Sequence, residues 1–63
     1  MNNDNFNMSL RKFLKQVGVT SQQVIENHVR ENGLTGGELK ARMVLTIDGT
    51  DFVHEVEGAI DLD

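Results

Sequence analysis

The chain has 63 residues, a net charge of −4, and neither cysteine nor proline. A chain this short folds as one small domain, which is marginal without a disulfide, a metal or a partner; the missing thiols remove disulfides, thiolate zinc sites and thiol chemistry. Charge is unevenly spread. Residues 1–33 hold four basic and three acidic groups, while residues 34–63 hold two basic and seven acidic groups, so the second half repels polyanions.

Residues 1–4 are polar and are expected to form a disordered N-terminus, with a single α+β domain over residues 5–63. The opening "MNNDNFNMSL" has no basic region followed by an apolar stretch, and no run approaches a membrane span. A soluble cytoplasmic protein is expected.

Phe6, Leu10, Phe13, Leu14 and Val17 recur at i, i+4, i+7, i+8 and i+11, one face of a helix. This predicts a first helix over about residues 5–17, capped by Asn3, Asp4, Asn5 or Ser9 and stopped at Gly18 as a left-handed C′ residue. A second helix is predicted over about residues 21–32. Thr20 and Gln23 have the capping-box spacing, and Val19 and Val24 the spacing of a hydrophobic staple. Val24, Ile25, His28 and Val29 form its stripe, Glu26 and Arg30 an i,i+4 pair, and Gly33 its end.

"TGGE", Thr35 to Glu38, is a flexible link. The period then becomes two, with Leu39, Ala41, Met43, Leu45 and Ile47 on one parity. Asp48-Gly49 signals a hairpin with a two-residue type I′ turn. Strands are expected over about residues 39–47 and 50–57. This register sets Leu45 opposite Phe52, Met43 opposite His54, Val44 opposite Val53, Arg42 opposite Glu55 and Lys40 opposite Glu57. A four-residue loop keeps the parity but puts Val44 against Glu55. The expected architecture is two helices packed on a two-stranded antiparallel hairpin, in the order α-α-β-β. Its core would comprise Phe6, Leu10, Phe13, Leu14, Val17, Val24, Ile25, Val29, Leu39, Met43, Leu45, Ile47, Phe52 and Val56. Ile60 and Leu62 run past the predicted first strand and extend the second, dock on the helices or pair with another chain. No internal repeat is read from the sequence.

"FNMSLRKFLKQVGVTSQQVIE", Phe6 to Glu26, resembles the opening of a family of short uncharacterised bacterial proteins grouped as a domain of unknown function. The resemblance continues through "ARMVLTI" and "EVEGAIDLD" and covers nearly the whole chain. It implies a stand-alone bacterial cytoplasmic protein and brings no activity, ligand or catalytic residue.

Three kinds of site compete. The Gly18 corner has the form of a helix-turn-helix, with Thr20, Ser21, Gln22 and Asn27 as base readers, Arg11, Lys12 and Lys15 as phosphate contacts, and the hairpin as a wing. The acidic hairpin argues against nucleic acid, because affinity for it comes largely from Lys and Arg. His28 and His54 both fall on inward parities and are weak candidates for a metal or pH-sensing site, which lacks further ligands. No catalytic motif, phosphate loop or cofactor motif is read, so a non-enzymatic protein is expected. What remains is protein interaction. Val44 and Val53 form an apolar spot on the outer sheet face beside Glu55 and Glu57, and both strands are edges open to an unknown protein partner or to a homodimer. The acidic tail could also meet a basic protein surface.

Overall fold

The computed structural model describes residues 2–63 and contains one helix and one hairpin, in the order α1 (Asn3–Glu31), β1 (Glu38–Thr46), β2 (Val53–Asp61). The α+β class stands, but two helices and the α-α-β-β order do not. The chain divides into two compact units, residues 1–33 and Leu34–Asp63.

The helix begins earlier than expected. Asn2 is its cap, and its side-chain oxygen accepts from the amides of Asp4 at 3.0 Å and Asn5 at 3.2 Å. Asn3 and Asp4 are therefore helical, and Met1 lies outside the described residues. Asp4 in the first turn and Arg30 in the last complement the helix dipole.

The helix then passes straight through the expected corner. Gly18 lies within α1 and does not take positive φ. Thr20 is no cap: its hydroxyl donates back to the carbonyl of Gln16 at 2.8 Å. The physical reason is phase. The stripe Phe6, Leu10, Phe13, Leu14, Val17 has the spacing i, i+4, i+7, i+8, i+11, and Val17, Ser21, Val24, Ile25, His28 have it again. Residues 6–16, "FNMSLRKFLKQ", and 17–27, "VGVTSQQVIEN", thus repeat with a period of eleven, although no repeat was expected. A period of eleven averages ~3.67 residues per turn, so the stripe runs nearly parallel to the axis of one continuous helix. Ser9 and Thr20 occupy equivalent positions and behave alike, the Ser9 hydroxyl donating to the Phe6 carbonyl at 3.0 Å. Breaking the helix at Gly18 would orphan backbone donors and acceptors on both sides of the break, whereas keeping a glycine inside costs only ~1 kcal/mol relative to alanine. The stop expected at Gly33 is present, with φ of 60°.

The hairpin keeps the expected parity but not the expected register. Leu39 pairs with Ile60, Ala41 with Gly58, Met43 with Val56 and Leu45 with His54 on one face; Arg42 with Glu57, Val44 with Glu55 and Thr46 with Val53 lie on the other. This is the wider-loop register, shifted by two residues from the pairing expected for a type I′ turn. Two features favour it. At the loop, Gly49 (φ 77°) is the only central turn residue with positive φ, so Asp48 avoids the left-handed region that type I′ demands. The Thr50 amide donates to the Ile47 carbonyl, and the Thr50 hydroxyl donates to the same carbonyl at 2.7 Å while accepting from the Phe52 amide at 3.1 Å. At the open end, Ile60 comes opposite Leu39, the Leu62 amide donates to the Gly37 carbonyl at 2.9 Å, and the Gly37 amide donates to Asp63 Oδ1 at 3.1 Å. "TGGE" is therefore a shaped clasp, with positive φ at Gly36 and Gly37, and Ile60 extends the second strand.

No described residue is buried, which corrects the expected core. Val17, Val29, Leu39 and Leu45 are half-covered; Phe6, Leu10, Phe13, Leu14, Val24, Ile25, Met43, Ile47, Phe52 and Val56 are exposed. Taken by itself, a single helix or a two-stranded ribbon shades its own side chains only partly.

Candidate functional site

The most developed surface is the apolar face of α1. Side chains on a helix lean toward its N-terminus, so residues four and three apart touch along one line. Phe6, Leu10, Phe13, Leu14 and Val17 form the wide half of this face, and Ser21, Val24, Ile25 and His28 the narrow half. Phe6 and Phe13 are each 48% exposed, and Val24 is 67% exposed. Between Gln16 and Ile25 there is no charged residue on any side of the helix. An uncharged middle with apolar anchors is the composition of an interface centre.

The expected nucleic-acid residues do not form a site. Reading base edges requires a second helix that begins at a turn, and the continuous α1 has none there. Its winding keeps Thr20 and Asn27 on one side but turns Ser21 and Gln22 about 100° and 200° away from Thr20, so the four share no reading face. Thr20 spends its hydroxyl on the Gln16 carbonyl, Ser21 is half-covered within the apolar stripe, Gln22 donates to Glu26 Oε1 at 3.0 Å, and Asn27 accepts from Arg30. Glu26 and Arg30 thus each bond another neighbour instead of the expected i,i+4 partner. Arg11, Lys12 and Lys15 are exposed on α1, away from the stripe. One continuous helix across Gly18 leaves no helix-turn-helix there.

His28 sits in the last turns of α1, with Nδ1 3.3 Å from Asn32 Nδ2; the same Asn32 amide donates to the His28 carbonyl at 2.8 Å. His54 lies opposite Leu45 in the hairpin. Among the described residues there is no group of three or more His, Asp or Glu positioned to hold a metal ion. On the polar sheet face, Val44 and Val53 are both exposed but stand on a diagonal and not directly opposite, with Glu55 facing Val44 and Glu57 facing Arg42. The expected apolar spot is therefore interleaved with a carboxylate. Both strands keep one free edge in the two-stranded sheet.

Sequence reasoning missed the continuity of the helical face, although its signal was present: the two stripes share Val17 and the same spacing, which would have joined them.

No helix among the described residues is long and apolar enough to cross a membrane. A family of unknown function, DUF6494, matches residues 1–63, and the chain belongs to it. No curated protein matches the sequence, and no solved structure matches the fold.

Proposed function

We propose that this member of the DUF6494 family is a small non-enzymatic protein-interaction module that works through the apolar face of α1. One observation carries the reading: the stripe keeps one line from Phe6 to His28, passing through Ser21, and Phe6, Leu10, Phe13, Leu14, Val24 and Ile25 on it are exposed. Apolar residues scattered singly over a surface need no explanation, but a contiguous apolar patch rimmed by polar residues marks an interaction site. Anchors at i, i+4, i+7 and i+11 are the pattern with which one helix enters a groove or lies along another helix. In this reading the chain acts by presenting a helix and not by catalysis. Its setting is taken to be the bacterial cytoplasm; the lack of cysteine and the resemblance to short bacterial proteins support that choice.

The test is a photo-crosslinking side chain placed at Leu14 in one variant and at Lys15 in another, in cells expressing the full chain. Discrete adducts from Leu14 that are absent from Lys15 are expected. Equal adducts from both positions, or none from Leu14, would refute a docking face on the stripe.

A further inference from the structure

We infer that the occupant of this face is a second copy of the same chain, with its helix antiparallel and crossing at Val17. The inference rests on the interaction reading above and names its partner. Val17 is the midpoint of α1, so an antiparallel pair centred there superposes Asn3–Glu31 on itself with no overhang. In that pairing residue numbers sum to a constant. Phe6 meets His28, Leu10 meets Val24 and Phe13 meets Ser21 of the second copy, while Leu14 and Ile25 flank the seam. The wide half of one stripe therefore fills the narrow half of the other. A parallel pair would set Phe6 on Phe6 and Phe13 on Phe13, and leave a gap where Ser21 faced Ser21. Alternating large and small side chains across a seam is what close packing requires.

Charge gives the same direction. The first half of α1, residues 3–16, holds three cations and one carboxylate; the second half, residues 18–31, holds two carboxylates and one cation. Antiparallel pairing lays the net positive half of each helix beside the net negative half of the other and opposes the two helix dipoles favourably. Parallel pairing lays like on like. The exposed parts of Phe6, Leu10, Phe13, Leu14, Val24 and Ile25 offer on the order of 500 Å² of apolar surface per copy, and the polar residues along the seam bring the contact toward the ~800 Å² per partner of a stable interface. The pairing is symmetric and closed, so it yields a dimer and not a filament.

The chain has no cysteine, so single cysteines report distance cleanly. Leu10→Cys and Val24→Cys chains are mixed and oxidised mildly, each first shown to keep its helical circular dichroism. A disulfide needs its Cα atoms within ~7 Å, so the antiparallel pair should give the Leu10–Val24 heterodisulfide about tenfold over either homodisulfide. The unmodified chain should sediment as a dimer that dissociates on dilution. A Leu10 homodisulfide in excess would show a parallel pair and overturn the inference. A dimer without the heterodisulfide would place the contact elsewhere, such as the strand edges, and also overturn it. A monomer at submillimolar concentration overturns it too, and thiol labelling then separates the two readings. If Leu10→Cys reacts as fast as Lys15→Cys, the face is open and the interaction module survives with another partner. If Leu10→Cys is protected in the monomer, its own chain covers the face and both readings fail.

Discussion

Replacing Gly18 with alanine tests the continuity of α1 by the sign of its effect. In the structure Gly18 is an interior helical residue without positive φ, and a Cβ built there meets nothing within 4 Å. Alanine then adds no clash, and it removes the entropic cost of glycine inside a helix, about 0.8–1 kcal/mol. For a domain of this size such a gain raises the thermal midpoint by roughly 4–8 °C. If Gly18 were instead a left-handed stop between two helices, alanine would cost about 1–2 kcal/mol, through the contact of Cβ with the following carbonyl. The two architectures thus predict opposite signs, separated by about 2–3 kcal/mol. Urea unfolding followed by circular dichroism at the helical minimum reads the difference, and an unchanged slope confirms that the native state kept its extent. A lowered midpoint in Gly18→Ala would refute the single helix and restore the corner.

Other consequences are equally direct. Asn2→Ala removes the acceptor for the Asp4 and Asn5 amides and should lower stability by ~1 kcal/mol, with faster amide exchange confined to the first turn; unchanged exchange there would show that Asn2 is not the cap. Gly49→Ala forces a Cβ into φ of 77° and should cost about 1–2 kcal/mol in urea unfolding, whereas a neutral result would mean that the turn has another form. The register is readable by proton NMR. Backbone contacts directly across the ladder, Met43 with Val56 and Leu39 with Ile60, are expected, and backbone contacts placing Met43 directly opposite His54 would restore the type I′ pairing.

The elements that sequence periodicity made legible were those where one pattern ran alone. The period-two alternation from Leu39, its return through Val56 and Ile60, and the glycine stop after α1 were all readable, because each depends on residues close in the chain. The misjudged junctions were those where a short-range motif competed with a longer pattern. At Thr20 the spacing to Gln23 fits a capping box, and the staple from Val19 to Val24 fits it too. A cap satisfies only a few of the groups that a break exposes, however, while a through-running helix bonds them all and keeps Ser21, Val24, Ile25 and His28 in line with Phe6, Leu10, Phe13 and Leu14. Likewise Asp48-Gly49 is a strong local signal for a type I′ turn, and the charges of Arg42 and Lys40 agree with it. The register is instead held at the far end, where Ile60 finds Leu39 and the Gly37 clasp receives Leu62 and Asp63.

The same competition explains why the candidate face was hidden. A helix cut at Gly18 gives two short stripes, each plausible as the inner side of a small core, and it directs attention to the polar residues at the cut. Joined, the halves make one face roughly 33 Å long at ~1.5 Å per residue, graded from phenylalanine and leucine at one end to serine, valine and histidine at the other. A graded face is a poor match for itself in parallel and a good match reversed. The small Ser21, next to the expected corner, is in the continuous helix the place where Phe13 of a second copy has room to pack.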